Sequence, residues 1–286
     1  MKALFLTASS AGLLVSGAAG AGYTLDLSGG GYSAGDSFAA PGGGVDAWEQ
    51  SEANFSDGGG EYPRSWVNDF SGGVQGFAIG GFYDTFDPTV GSGITVSQSL
   101  SGLVQGNASL SASFSLIDSD DFDEDRNRFS FGFYDSSDAE IASLVFRPVS
   151  QSLTPETDTA VWNIYASVQG VLDPTPFAAV FEGANYTLGL NLSVSSVSAG
   201  EVDFVGSVSS AGGTVGSYAD SLTASSSDAV AGLQVTWAAD GTEAGLEGSN
   251  FGSNYVAVSS LTAVPEVSSS LLLLLGSLGL LRRNRS

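Results

Sequence analysis

The chain has no histidine and no cysteine, and Lys2 is its only lysine. Each absence removes a class of chemistry. Without an imidazole there is no base for a Ser-His-Asp or Cys-His nucleophile. Without His or Cys, zinc, haem and iron–sulfur centres lose their usual ligands. No disulfide can form, so stability rests on the core alone. Lys and Arg number 8 against 31 Asp and Glu, a formal net charge of -23. That balance excludes nucleic acid as a partner, because phosphate binding needs clustered cations. Carboxylate-only enzymes and calcium sites survive.

Helical periodicity is also missing. Between the two ends no amphipathic stretch of ten or more residues occurs, and no repeat of the length used by solenoids or propellers. What is present points to a folded domain. Of the 286 residues 42% are hydrophobic and 10% aromatic. That is too apolar for a disordered chain and enough to bury a core.

The dominant period is 2. Leu110, Ala112, Phe114 and Leu116 alternate with Ser109, Ser111, Ser113 and Ser115. Phe129, Phe131 and Phe133 do the same, as do Leu188, Leu190, Leu192 and Val194, and then Leu233, Val235 and Trp237. Such alternation marks a strand with one buried face. Tyr23–Leu27, Phe77–Phe82, Ile94–Leu100, Ile141–Phe146, Val161–Val168, Ala178–Phe181, Val202–Val208 and Tyr255–Leu261 are further expected strands. Gly29–Gly60 and Gly212–Asp228 read as irregular. Many short strands with Gly, Ser and Asp turns predict an antiparallel β-sandwich or barrel. Serine on the wet faces accounts for much of the composition, with 47 Ser and 39 Gly.

The two ends read as addresses. Lys2 precedes an apolar, small-residue run, and Ala19-Gly20-Ala21 fits the small-x-small cleavage rule, so residues 1–21 are expected to be a signal peptide cut after Ala21. The other end reads Val264-Pro265-Glu266-Val267, an apolar segment to Leu281, then Arg282-Arg283-Asn284-Arg285-Ser286. Val267 to Leu281 is 15 residues, roughly 22 Å as a helix. That is short for a membrane span. The terminal arginines place the tail's end in the cytoplasm and the preceding domain outside. Outside both ends, residues 22–262 keep four arginines (Arg64, Arg126, Arg128, Arg147) against 30 acids. The exported part is therefore more acidic than the whole chain, at about -26, a charge that keeps it soluble.

This tripartite end resembles the PEP-CTERM sorting signal of Gram-negative bacteria. The resemblance covers residues 263–286 and rests on Pro265, Glu266, the apolar run and Arg282, Arg283 and Arg285. It departs at Val267, where the family usually has Pro. It implies a membrane protease-transpeptidase, exosortase, as processing partner. It also implies transient anchoring in the inner membrane through the apolar segment. A retained membrane anchor is the alternative fate of the tail. The order of strands in the middle resembles a concanavalin-like, laminin-G-like jelly roll. The resembling pieces are Trp48 and Trp66 early, Gly76-Phe77-Ala78-Ile79-Gly80-Gly81, the Ser-alternating strand, the Phe strand, and a last strand running into the tail.

Candidate sites are few. Asp118, Asp120, Asp121, Asp123 and Asp125 crowd a loop between two expected strands. They read either as a solvated acidic turn or as a calcium candidate, since calcium takes six to eight oxygens. They do not make an EF-hand: counting from Asp121, Arg126 stands where that loop needs Gly and Gly132 where it needs Glu. Gly31-Tyr32-Ser33-Ala34-Gly35 matches the nucleophile-elbow string, but the chain has no histidine to serve it. Glu201-Val202-Asp203 falls one Glu short of the E-x-D-x-x-E string of the jelly-roll glucanases it resembles. Trp48 and Trp66 lie in loop-like sequence and are sugar-stacking candidates, whereas Trp162 and Trp237 alternate with core positions. The reading is a non-enzymatic, exported envelope or matrix protein with a structural or adhesive role. The alternatives are a carbohydrate-binding module, with or without calcium, and a carboxylate-only glycoside hydrolase.

Overall fold

The computed structural model describes residues 23–25, 27, 35–39, 48–56, 65–70, 74–80, 87–100, 108–118, 128–149, 161–194, 201–223, 230–238 and 254–265. They form sixteen strands: β1 (Tyr23–Thr24), β2 (Trp48–Ser56), β3 (Ser65–Phe70), β4 (Val74–Gly80), β5 (Asp87–Ser99), β6 (Ala108–Asp118), β7 (Arg128–Tyr134), β8 (Glu140–Pro148), β9 (Val161–Val168), β10 (Val171–Leu172), β11 (Ala178–Phe181), β12 (Tyr186–Val194), β13 (Glu201–Ser210), β14 (Gly213–Thr223), β15 (Gly232–Ala238) and β16 (Asn254–Pro265).

All ladders are antiparallel. The first sheet runs β14-β13-β12-β6-β16-β4-β3, with β1 also on β16; the second runs β10-β9-β8-β7-β15-β5-β2, with β11 also on β9. The chain crosses between sheets at β1–β2, β2–β3, β4–β5, β5–β6, β6–β7, β11–β12, β14–β15 and β15–β16. This is the expected jelly-roll sandwich. The expected terminal helices lie outside the described residues.

The alternation in the sequence becomes the core. Ala108, Leu110, Ala112, Phe114 and Leu116 of β6 are all buried to 2% exposure or less. Phe114 reaches across the sandwich, its ring 5.2 Å from Phe146 and 5.7 Å from Phe131 on the second sheet. At the other flank Phe38 stacks on Phe77 at 4.2 Å, and Trp48 packs on both. A polar link joins the sheets there. Ser65 donates through Oγ to Gln50 Oε1 at 2.6 Å and accepts from the Ala39 amide.

Three strands fall where no alternation could announce them. In β2 the core-facing position after Trp48 is Gln50, and Glu52 beyond it is exposed. In β3, Trp66 faces outward and Ser65 inward. In β14, an edge strand, nearly every described side chain is exposed, so neither face selects apolar residues. At its far end β16 continues through Val264 and Pro265, opposite Ser109 and Ala108.

Candidate functional site

Strand parity divides the second sheet into two faces. Phe129, Phe131, Phe133, Leu144, Phe146, Trp162, Ile164, Leu233, Val235 and Trp237 point into the core. The residues between them must therefore form the outer face. The ladders arrange these in rows. One row reads Thr95, Thr236, Ser130, Val145, Tyr165; the next reads Ser97, Gln234, Gly132, Ser143, Ser167. Arg128 and Arg147 flank the Phe129–Phe146 pair on the outer side, and Asn163 lies opposite Arg147 on β9.

This outer face is sheltered along its middle rows, as the first sheet's is along the row Trp66, Ala78, Ala257 and Ser115. Ser143 is 0%, Ser167 4% and Val145 7% exposed, although all three point away from the core. Ser111, Thr187 and Val205, elsewhere on the first sheet's outer face, are exposed. Gly132 sits at the centre of the sheltered face, and a Cβ there would come within 2.6 Å of the Ser143 Cβ. No side chain fits at that point.

The long side chains around this centre are tied down. The Glu140 carboxylate accepts from Ser167 Oγ at 2.6 Å, Ser143 Oγ at 2.9 Å and the Gly170 amide at 3.2 Å. Those bonds satisfy two buried hydroxyls that would otherwise be costly. Tyr134 lies opposite Glu140 in the ladder. Burial, and next the negative charge of Glu140, push its hydroxyl far above the usual tyrosine range, against the pull of Ser130 and Arg128. The Arg147 guanidinium carbon stands 5.8 Å from the Tyr165 ring centroid, within cation–π range. Aromatic rings, an amide, hydroxyls and guanidinium groups on one rigid sheltered sheet form a surface suited to polyhydroxylated ligands.

A second polar cluster sits where β14 meets β11. Tyr218 Oη lies 3.0 Å from Asp173 Oδ2 and 3.1 Å from Asp220 Oδ2. Its ring packs on Phe177 and Phe204. Burial first, and then bonding to Asp173, raise the Tyr218 hydroxyl well above its ordinary range. The cluster fastens the two sheets along this flank.

The two tryptophans expected to stack on sugars do not present open faces. Trp48 is fully buried on β2, packed among Tyr23, Phe38 and Phe77, with Nε1 donating to Tyr23 Oη at 2.6 Å. Trp66 is 8% exposed on β3 and packs edge-on against Tyr255. Both sit in strands rather than loops, and burying such large rings is the reason they are there. Trp162 and Trp237 are core, as their alternation implied.

Of the acidic run, Asp118 ends β6, and residues 119–125, with Asp120, Asp121, Asp123 and Asp125, lie outside the described residues. Among the described residues no group of three or more Asp, Glu, His or Cys converges as a metal would need. Ala19, Ala21, Glu266, Arg282, Arg283 and Arg285 also lie outside the described residues. Glu201 and Asp203 share the outer face of β13, but the ladders set Thr223 beside Glu201 and Ser193 and Ser221 beside Asp203. No neighbouring strand supplies a further carboxylate at those positions to stand in for the missing final Glu.

Sequence reasoning missed the outer-face set of Tyr134, Glu140, Arg147 and Tyr165. The signal was present as the complement of the core pattern: Phe146 inward means Arg147 outward. What alternation alone lacks is the strand order that makes β7, β8 and β9 neighbours.

No protein-family model and no curated protein matches the chain. Solved structures do. A lectin from Bauhinia forficata in complex with GalNAc is 8% identical, covering 76% of this chain and 98% of its own, with a TM-score of 0.41. The VIP36 exoplasmic/lumenal domain in its Ca2+/Man2-bound form is 8% identical over 79% of this chain and 85% of its own, with a TM-score of 0.42. An alginate lyase from Klebsiella pneumoniae is 10% identical over 70% of this chain and 84% of its own, with a TM-score of 0.40. None of them assigns a residue or a ligand to this chain.

Proposed function

We propose that the protein is an exported envelope or extracellular-matrix protein that holds carbohydrate on the outer face of its second sheet. The observation that carries the binding half is the sheltered row of Ser130, Val145 and Tyr165 beside Arg147 and Asn163. Sugar rings offer hydroxyls to amide and guanidinium groups and C–H faces to aromatic rings. A rigid sheet places both kinds of partner without ordering a loop, so little entropy is lost on binding. A binding role fits better than catalysis. The whole chain has no His or Cys, and the nearest carboxylate string, Glu201-Val202-Asp203, has Gly206 where the glucanase pattern has its final Glu. Calcium belongs to this reading only through the acidic run Asp118–Asp125.

The export half rests on the two ends of the sequence. The signal-like start sends the domain across the inner membrane. The Pro265-Glu266 motif, apolar segment and arginines hold it there until an exosortase-type enzyme processes it. Deleting residues 265–286 is expected to release the domain into periplasm or medium, read by fractionation and immunoblot. A deletion product still in the membrane fraction removes the sorting role of the tail.

The binding half is tested on a glycan array with the full chain and Tyr165→Ala. Truncating an aromatic group at the centre of a contact should weaken binding at least about tenfold while the thermal midpoint stays put. Equal binding by the variant, or no glycan bound by either protein, removes this face as the site. A purely structural or adhesive matrix role then remains, and its mark is loss of matrix cohesion in a strain lacking the protein.

A further inference from the structure

We infer that the domain, while its tail holds it, stands upright on the lipid surface on one end of the sandwich, the end where β1 begins and β16 finishes. This rests on the anchoring reading above and adds to it which surface of the domain meets the membrane.

The first observation is where the two ends of the fold emerge. β1 pairs antiparallel with the last part of β16, Tyr23 opposite Ala263 and Thr24 opposite Thr262. Leu25 then donates its amide to the Leu261 carbonyl. Residues paired in this way lie about 5 Å apart. The segments before Tyr23 and after Pro265 therefore leave the sandwich side by side, and both are the segments expected to enter the membrane. With the signal still attached the chain is tied twice at one end. With the signal removed it is tied once, at the same place.

The second observation is reach. Leu271, where the leucine run of the tail starts, follows Pro265 by six residues, at most roughly 20 Å when extended. β16 alone is 12 residues long, about 40 Å from end to end. The sandwich is longer than its tether. Its far end meets the membrane only when the domain lies down on a side.

Charge decides between standing and lying. Residues 22–262 carry 30 acids against four arginines, so an anionic lipid surface repels the domain. Strand directions sort the connections between the two ends. Residues 71–73, 100–107, 135–139, 169–170, 173–177, 195–200 and 224–231 join strands at the tethered end and hold four acids, Asp135, Asp138, Asp173 and Asp228. Residues 57–64, 81–86, 119–127, 149–160, 182–185, 211–212 and 239–253 join strands at the far end and hold fourteen, with Arg64 and Arg126. The acidic run before Arg128 is among them. At physiological salt the Debye length is about 8 Å. In the upright pose the far-end acids stand roughly 30–40 Å off the surface, beyond its field. On any flank part of them comes within it. Acids at the tethered end are near the surface in both poses and do not choose between them. The strands then run along the membrane normal, and the carbohydrate face of the second sheet looks sideways along the cell surface.

A chain without cysteine takes a single label cleanly. Ala211→Cys lies just before β14 and Ser221→Cys near its close, both at exposed positions. Ten residues of strand set these labels roughly 33 Å apart. Ser136→Cys, exposed in the turn between β7 and β8, marks the tethered end of the second sheet. Each labelled full chain, tail included, is inserted into vesicles of phosphatidylethanolamine and phosphatidylglycerol with an acceptor dye among the headgroups, and energy transfer is read. Transfer from Ser221 and Ser136 is expected to exceed that from Ala211 at least about threefold, given their separation. High salt, or vesicles without phosphatidylglycerol, should raise transfer from Ala211 by removing the repulsion. Equal transfer from Ala211 and Ser221 in the anionic vesicles means a domain lying flat, and stronger transfer from Ala211 an inverted one. Either overturns the orientation and leaves the anchoring standing. Transfer from Ala211 that ignores salt and lipid charge overturns the electrostatic cause. A chain that does not enter the vesicles overturns the anchoring reading and this inference together.

Discussion

Trp48→Ala is expected to destabilise the sandwich by about 3–5 kcal/mol, the range for deleting a buried Trp or Phe ring. The ring is fully buried and touches three others, Phe38 at 5.2 Å, Phe77 at 5.5 Å and Tyr23 at 5.6 Å between centroids. These come from three separate parts of the chain: the segment at residues 35–39, strand β4 and strand β1. The cavity cannot collapse easily, because Phe77 and Trp48 belong to opposite sheets whose spacing is set by the rest of the core. The indole also donates to the Tyr23 hydroxyl at 2.6 Å, and that hydroxyl loses its donor in the variant. Trp48→Phe keeps most of the volume and forfeits the hydrogen bond, so it should cost about 1–2 kcal/mol. Urea unfolding followed by fluorescence measures both. A fully stable Trp48→Ala protein that has lost glycan binding would return this residue to a surface role and refute the packing argument.

Gly216→Val is expected to separate the two sheets along one flank. A Cβ at 216 would lie 2.4 Å from the Phe177 carbonyl oxygen and 2.7 Å from the Ala178 Cβ. Neither atom can swing aside, since both belong to the backbone or sit next to it. Strand β14 must then lift from β11, carrying Tyr218 away from Asp173. Overpacking of this kind costs about 1–3 kcal/mol and occasionally more. Because β14 is an edge strand, the loss should be local. Amide exchange should accelerate through Gly213–Thr223, while the ladder between β6 and β16 stays protected. Gly206→Ala is the control. Its Cβ meets the Leu144 Cδ2 at 2.7 Å, the free end of a side chain that can turn, so its effect should be smaller. Unchanged β14 protection in Gly216→Val would show that the contact with Phe177 does not hold this flank together.

Most of the fold was legible, and the reason is physical. A strand between a core and water writes its position as a period of 2, and β6, β7, β12 and β15 did so. The strands left unread had no such contrast. Polar Gln50 follows Trp48 on the core side of β2 and Glu52 beyond it is exposed, while nearly every described side chain of β14 is exposed. The candidate site was less legible. Trp48 and Trp66 looked like loop residues because their neighbours are Gly, Ser and acids. Arg147 and Tyr165 looked like ordinary wet-face residues of two strands. Only the ladder from β8 to β9 makes them a pair, and ladders join residues that the sequence keeps apart.

The place of β16 in the first sheet has a consequence for how the protein is made. This strand lies between β6 and β4, and Ser259 on it bonds back to Ser113 across 146 positions. A chain emerging from its N-terminus therefore presents two unfilled strand edges for most of its synthesis. The sheet can zip up only when nearly all the rest has appeared. Such a chain stays unfolded, and prone to aggregate, until late. That delay would suit the export proposed above, in which the chain is threaded across a membrane in extended form. Val264 and Pro265 are strand residues in the finished sheet, so the processing proposed above would meet either a free tail before closure or a frayed strand end after it.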